Sequence, residues 1–550
     1  MYPVHDFMSP ETLPASVNAT PNRGEGETPA PKLPAIVRIS EYLLLSVVIA
    51  GCADTLRFFA FYFRVPFSLN FEEGNVLNAA LRITHGLNPY PPVRGFPCVV
   101  NPYGPVFYYA LAPLVKLFGA NFAAPRALAL ASALAVAIFL VLLLRLWTGS
   151  TVVAFGFGLS FLAVSLVRDW VYVLRVDLFG LVLSMAGIYV FATTRRLAPS
   201  ALLFLAALYS KITLLAVPVA CFLFLLAGGE GDGDRERPAR QAWQLAAWML
   251  GLGSAGLLAL GLATRGWGLF DMFFTHPDPY SFAQYARIVR PFALLDAALL
   301  AGAVALAVRD IRHRALSLPL IYLVLASVMT LTAGKFGSDA NHLLEWQAAL
   351  CLAAGCGYAS LRRQSRVDPV AALIPLGLAA LVVLGLSEKP RLNPLLADCA
   401  PAYQLAARQP GELLTENPGA AALSGKTVWL SNSFEYAFLG KAGRLDQRPL
   451  TQLVQRRFFS IILLGNALPE LEQAAKQPLA PGTIWPPAFV SALEQNYHQV
   501  ASFACVDAHA AFEPNPASGA DSTLRTSTAG APHPNGRDFG SPAAASHLTR

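Results

Sequence analysis

At 550 residues, 55% of them hydrophobic and only 14% charged, with a mean hydropathy of +0.47, the chain is excluded from the soluble globular class, in which about 25% of residues are charged. A formal net charge of +7 needs no nucleic acid to explain it, because the basic residues cluster in short loops between apolar runs, where they set membrane orientation. The seven cysteines lack metal-ligand spacing. Cys351 and Cys356 share one apolar run and read as packing residues, leaving Cys399 and Cys505 as the pair that could form a disulfide.

In chain order, residues 1–35 are rich in Pro, Ser, Thr, Asn and Gly and are expected to form a disordered cytoplasmic tail. The first span is expected over about Ile39–Phe63, with Asp54 and Arg57 on one helical face and turned toward the bundle. Three polar motifs follow within the loop 64–122: Asn70-Phe-Glu72-Glu73-Gly74, Gly86-Leu-Asn-Pro-Tyr90 and Asn101-Pro-Tyr103-Gly-Pro-Val-Phe-Tyr108. Val76-Leu77 and Ala79-Ala80-Leu81 could line one face of a short amphipathic helix, and Val106–Phe118 is apolar but falls short of the ~20 residues of a spanning helix. Both read as helices lying along the interface.

Spans are then expected at about Ala123–Trp147, Val152–Val167 and from Asp177 to Thr193. Pro199–Leu226 can be one span or two short helices turning at Tyr209-Ser-Lys211. A single span would put the later basic loops around Arg309 and Arg362 outside, whereas the hairpin puts them inside, as the positive-inside rule demands. Further spans are expected at about Trp243–Ala263, Phe292–Val308, Leu316–Thr332, His342–Ser360 and Val370–Leu386, with Gly266–Pro291 as a polar external loop. The sequence thus predicts an all-α polytopic membrane protein with about eleven transmembrane helices over 36–388, the amino terminus inside. A small C-terminal α/β extracytoplasmic domain follows at 389–513, with buried strands at Thr427–Ser431 and Ser460–Leu464 and helical stretches between and after. Residues 514–550 read as a disordered tail.

On this topology one outer face receives Glu72, Glu73, Arg175, Lys211, Arg287, Lys335, His342 and Glu345. Charges near span ends face cavities more readily than lipid, and a face holding both signs suits binding an anion while removing a proton. Glu72 and Glu73 with His85 or His276 could hold a divalent cation, although no spacing demands one. Gly251-Leu-Gly-Ser-Ala-Gly256 matches a dinucleotide fingerprint only on paper, because it lies inside an apolar span with no preceding strand; it reads as close helix packing. No Walker motif or nucleophile elbow is present. A transporter or lipid flippase would share the broken hairpin, but the sequence shows no internal repeat.

The ordered set of motifs resembles the GT-C superfamily of membrane glycosyltransferases, in particular the bacterial relatives of protein O-mannosyltransferases and of lipid A aminoarabinose transferases. It covers about residues 40–390. The acidic pair Glu72-Glu73-Gly74 comes first, followed by the two Asn-Pro-Tyr runs and Leu117-Phe-Gly119. Arg126, the Lys211 turn and Asn341-His342-Leu-Leu-Glu345 complete the series, with Leu413-Leu-Thr-Glu416 and Leu430-Ser-Asn432 similar to outer domains of bacterial members. Two positions depart from the pattern: Glu72 stands where the family has Asp, and Asn341-His342 where it has Tyr or Arg-Tyr. The resemblance implies a polyprenyl-phosphate sugar as donor and a glycan, lipid or protein as acceptor, with no nucleic acid involved. It implies Glu72 as general base, with Glu73 positioning the acceptor or a metal ion. Arg175 and Lys211, then Arg287 and Lys335, would hold the lipid phosphate, and Tyr103, His342 and Glu345 would complete the substrate site.

Overall fold

The computed structural model describes residues 34–93, 96–229, 236–275, 279–363, 368–386, 388–477 and 484–516. Most of both expected tails lies outside these residues, as do His276 and Asp278. The chain begins with α1 (Ala35–Phe63), the two loop helices α2 (Phe71–Thr84) and α3 (Pro105–Phe118), then α4 (Ala123–Thr148), α5 (Thr151–Ala163) and the short α6 (Ser165–Trp170). It continues through α7 (Val176–Thr194), α8 (Leu197–Leu208), α9 (Ala216–Leu226), α10 (Glu236–Thr264), α11 (Trp267–Phe274) and α12 (Phe282–Leu295). The apolar part closes with α13 (Ala297–His313), α14 (Leu318–Met329), α15 (Leu344–Leu361), α16 (Asp368–Ala371) and α17 (Leu373–Leu386).

Among the described residues four helices are long and apolar enough to cross a membrane: α1, α4, α7 and most of α10. α12 and α13 together also pass but meet at 83°. Six shorter apolar helices accompany them, and the chain is built as a multi-pass membrane protein. Three expectations are corrected here. Phe292–Val308 is not one straight span, because the helix breaks at Leu295–Asp296. Gly266–Pro291 is not simply a polar loop, since it carries α11 and most of α12. The span expected at Val152–Val167 stops at Ala163 and restarts as α6.

The centre of the bundle is α15, buried along its length from Leu344 to Ala359. Its sequence, rich in Ala, Gly and Cys, explains how neighbours approach on every side. A Cβ on Gly357 would come within 2.0 Å of the Gly302 carbonyl on α13, and one on Gly355 within 2.7 Å of Leu144 on α4. Small residues allow such backbone contact where lipid supplies no hydrophobic drive. Cys351 and Cys356 are buried within this packing.

The broken segment at 197–226 is a hairpin. α8 packs along α7, and α9 returns, so that the ring of Phe224 near its end lies 6.0 Å from the Arg195 guanidinium just before α8 begins. Tyr209 at the turn donates to the Gly253 carbonyl of α10 at 2.5 Å. A Cβ on Gly256 would meet its hydroxyl at 2.6 Å. The Gly251–Gly256 run therefore serves close packing.

Beyond α17, a four-stranded sheet of order β1-β2-β4-β3 forms from β1 (Leu413–Thr415), β2 (Ile461–Leu464), β3 (Tyr497–Ser502) and β4 (Ala510–Pro514). β1 pairs parallel with β2, and the other two pairings are antiparallel. Helices α18 (Cys399–Arg408), α19 (Pro418–Leu423), α20 (Ser433–Lys441), α21 (Arg448–Gln455), α22 (Leu468–Ala475) and α23 (Pro487–Asn496) surround it. The strand expected at 461–464 is present. Residues 427–431 do not join the sheet: Leu430 bridges Cys98 in the first loop instead. The end of this region holds β3 and β4 rather than helix alone. Cys399 and Cys505 form a disulfide closing 106 residues.

Candidate active site

The polar motifs of the first loop converge at one end of the bundle. Asn70 caps α2, its Oδ1 accepting the Glu72 amide at 3.1 Å. Acidic residues in a first helical turn are favoured by the helix dipole, which accounts for Glu72 and Glu73 at this place. The two carboxylates then part company. Glu73 and Arg126 are both fully buried, joined by two bonds, from Nε to Oε1 at 3.0 Å and from Nη2 to Oε2 at 2.7 Å. Glu73 also accepts the amides of Leu69 at 2.6 Å and Leu174 at 2.8 Å. Arg126 donates its remaining bonds to the carbonyls of Tyr62, Val65 and Phe67. Glu73 is thus a rivet holding the ends of α1, α2, α4 and the loop before α7.

Glu72 is half-buried. Among the described residues its side chain accepts from two amide side chains, Asn75 at 3.4 Å and Asn432 at 3.2 Å, and from no cation. Asn432 also caps α20, its Oδ1 accepting the Glu435 amide at 2.9 Å. A Cβ on Gly74 would stand 2.2 Å from the Gly419 amide nitrogen, so α19 rests directly on the α2 backbone.

Arg175, immediately before α7, donates to the Tyr103 hydroxyl at 2.8 Å and to Asn70 Oδ1 at 3.2 Å. Its Nε lies 3.5 Å from Asp177 Oδ2. Burial alone would lower its pKa, but Tyr103, Asp177 and Glu72 around it raise the value above the ordinary one, and it stays charged. Tyr103 is pushed well above the usual phenol range by burial. Asp177 is further paired with Lys211 and accepts from Asn341 Nδ2 at 2.9 Å. The motifs that hold these groups interlock. Gly104 and Val106 donate to the carbonyls of Ser210 and Tyr209, each at 3.1 Å, binding the Asn-Pro-Tyr-Gly run to the hairpin turn. The Tyr90 hydroxyl donates to the Tyr103 carbonyl at 2.7 Å.

Beside Lys211 a small cavity of about 20 Å³ is lined by Asp177, Asn341, His342 and Glu345, about the room that one water needs. His342 Nδ1 lies 2.7 Å from Thr332 Oγ1, and Glu345 Oε1 is buried with no hydrogen-bond partner among the described residues. Glu72, Arg175, Lys211, Tyr103, His342 and Glu345 therefore share one connected polar region. Arg287 and Lys335 lie apart from it. Arg287 is exposed on α12 and lines a separate cavity of about 510 Å³, while the Lys335 backbone bridges Tyr280. Among the described residues no ion pair or hydrogen bond ties either side chain to the Asp177–Lys211 pair.

Arg126, Asn70, Asp177 and Asn432 are parts of the site to which the sequence reading gave no role of their own, although Asn70, Arg126 and Asn432 stand in its motifs. Arg126 carried a signal, as a lone arginine where a long apolar helix begins. Asn432 was visible in the Leu430-Ser-Asn432 motif, but nothing there pointed to its partner 360 positions away. No group of three or more His, Cys, Asp or Glu suited to a metal occurs among the described residues. His85 stands at the far end of α2 from Glu72, about 20 Å along the helix, and cannot share an ion with it. His276 lies outside the described residues.

This geometry can be set against known structures. ArnT from Cupriavidus metallidurans bound to undecaprenyl phosphate superposes with a TM-score of 0.58 at 13% identity, over 86% of this chain and 98% of that one. The chain carries the fold of ArnT. The apo state of ArnT gives 0.56 at 12% identity over 84% and 97%. The oligosaccharyltransferase of Archaeoglobus fulgidus gives 0.52 at 11% over 83% and 73%. No family model matches the sequence, and no curated protein matches it either.

Proposed function

We propose that the chain is a membrane glycosyltransferase moving a sugar from a polyprenyl-phosphate donor to a glycan, lipid or protein acceptor at the outer face of the cytoplasmic membrane. The carrying observation is the half-buried Glu72 carboxylate near the half-buried Arg175 and the buried Lys211, on the fold that ArnT shows with undecaprenyl phosphate bound. In this reading Glu72 takes the proton of the acceptor nucleophile as it attacks the anomeric carbon. The electron pair of the breaking glycosidic bond leaves on the lipid phosphate.

Arg175 and Lys211 meet that phosphate. Asp177 neutralises one of their two charges, so the trio offers one net positive charge, preorganised in a water-poor site where such charge is most effective. Tyr103 fixes the Arg175 fork. Glu73 supports the site through Arg126 instead of contacting acceptor or metal. His342 and Glu345 border the donor side. Arg287 and Lys335 belong to the rim, on the second cavity at α12, as contacts for the lipid or the acceptor. The disulfide Cys399–Cys505 supports an extracytoplasmic C-terminal domain, since disulfides persist in oxidising compartments.

The deciding measurement is sugar transfer by purified protein in detergent, without any ion gradient, from a polyprenyl-phosphate sugar. Glu72→Gln is expected to lower turnover about 10²–10⁴-fold with folding intact, the usual weight of a general base. Wild-type turnover in this variant removes Glu72 from the mechanism.

A further inference from the structure

The cavity beside α12, of about 510 Å³, falls within the range of small-molecule sites, and paired backbone sets its walls. The residues before α12 and the segment 334–336 after α14 meet as a short antiparallel bridge. The Ser281 amide donates to the Gly334 carbonyl at 2.8 Å, and the Phe336 amide to the Pro279 carbonyl at 2.9 Å. Gln284 Nε2 on α12 donates to the Lys335 carbonyl at 2.5 Å and closes the corner.

Two aromatic residues line this space, Tyr280 and Phe336. A Cβ on Gly334 would come within 2.4 Å of the Tyr280 ring, so one face of that ring rests on backbone. The residue is still 52% exposed, which leaves the other face open. Ser281, Gln284 and Arg287 bring hydroxyl, amide and guanidinium groups to the same lining. The Phe336 ring lies 6.4 Å from Phe434 of α20, and Phe434 lies 6.0 Å from Phe71, the residue before Glu72. Two ring contacts thus connect the cavity to the candidate base.

Aromatic residues near span ends ordinarily sit among lipid headgroups. Phe282, 69% exposed and outside the cavity, fits that role, which needs neither a cavity nor a seat of backbone. A hydrocarbon tail in this cavity would strand the hydroxyl and amide groups, and a lone phosphate would leave both rings unused. A sugar ring suits both kinds of wall. Its weakly positive C–H face lies on the negative face of an aromatic ring, while its hydroxyls give and take hydrogen bonds at the polar edge. We propose that this cavity, on the function given above, holds neutral sugar rings of the acceptor, one of them stacked on Tyr280, which makes the acceptor a glycan.

The test titrates the full-length protein in nonionic detergent with maltotriose, mannotriose and chitotriose, read by saturation-transfer-difference NMR, with farnesyl phosphate as the donor-side probe. At least one trisaccharide is expected to bind, with transfer strongest to its ring C–H protons. Tyr280→Ala should weaken it about fivefold to tenfold, the weight of one stacked ring, while Tyr280→Phe and Phe282→Ala keep wild-type affinity. Ala283→Trp, at an exposed position of the lining, should fill the cavity and block binding. Farnesyl phosphate should bind all four variants as it binds the wild type. In transfer to a glycan acceptor, Tyr280→Ala should raise KM and keep kcat. Failure of all three trisaccharides to bind, or undiminished binding by either Tyr280→Ala or Ala283→Trp, would overturn the proposal. Because Ala283 is exposed, its variant keeps the test decisive where Tyr280→Ala fails to fold. Trisaccharide binding without any sugar transfer supports the subsite and counts against the function above; transfer without trisaccharide binding does the reverse.

Discussion

Two neighbouring glutamates have opposite fates because a helix turns by 100° per residue. Glu73 faces into the protein and meets Arg126; Glu72 faces the polar region and meets two amides. Their variants should separate accordingly. Glu73→Gln leaves the Arg126 charge buried without its counter-ion, a loss of about 3–5 kcal/mol, visible as a lower unfolding midpoint and poor recovery from the membrane. Glu72→Gln should unfold at the wild-type midpoint and fail only in turnover. Arg175→Lys should also lower turnover with little loss of stability, because an ammonium cannot reach Tyr103 and Asn70 together as the planar fork does; equal turnover would argue against phosphate contact there. At this scale the sequence was informative about residue type and silent about partners. Glu72, Arg175 and Lys211 were legible as charges beside apolar runs. The division of labour between Glu72 and Glu73 was not, since it depends on Arg126 and Asn432 arriving from elsewhere in the chain.

Elements in this protein are joined through glycines at which a side chain has no room. A Cβ on Gly104 would lie 1.9 Å from the Tyr209 carbonyl, where the first loop and the α8–α9 turn exchange hydrogen bonds. Gly104→Ala must therefore push the Tyr103 loop from the hairpin, withdrawing Tyr103 from Arg175 and shifting Lys211. Its expected signature is a turnover loss together with about 1–3 kcal/mol of destabilisation, the usual range for overpacking, checked by thermal unfolding and transfer assay side by side. Helices were the most legible elements, because α1, α4 and α7 are long apolar runs bounded by charge. The hairpin was legible through the placement of arginines. The break between α12 and α13 was not read, although Asp296 stands at it within an otherwise apolar run: the carboxylate turns inward to accept from Gln347 of α15 at 3.1 Å, a partner that the local sequence does not announce. Residues 427–431 read as a strand and do extend, but their partner is Cys98, outside the sheet.

Over the whole molecule, the C-terminal region is more than an appendage: it supplies Asn432 to Glu72, sets Gly419 on Gly74 and receives Ser68 through Tyr403 and Asn417. Its own stability should depend on pH in an unusual sense. Burial pushes the Glu416 carboxyl up to about 8 from 4.5, against the Trp485 indole that donates to it, and burial pushes Asp507 up to about 7 from 3.8. Both hold protons in the folded state that the unfolded chain releases. Stability is then greatest near pH 4 and falls as pH rises toward 8, by an amount on the order of a few kcal/mol. Unfolding midpoints of the C-terminal region between pH 5 and 8 should fall, and Glu416→Gln should flatten the slope. The architecture as a whole was readable in outline, a polytopic bundle followed by a mixed domain. How closely the two are joined was not, because the joining contacts are backbone approaches and amide pairs that leave no pattern in composition.

The contact between Glu72 and Asn432 also has a meaning in time. The two are 360 residues apart in the chain, and at ~5–20 residues per second of synthesis they are made roughly 20–70 seconds apart. Every membrane helix has left the ribosome before Asn432 exists. A nascent chain already inserted in the bilayer thus carries Glu72 with its neighbouring groups but without the cap from the last part of the protein. A half-made molecule therefore lacks part of the candidate site: the surroundings of Glu72 are completed only as the final region docks, and on the proposed function the completion of translation would be a checkpoint for transfer.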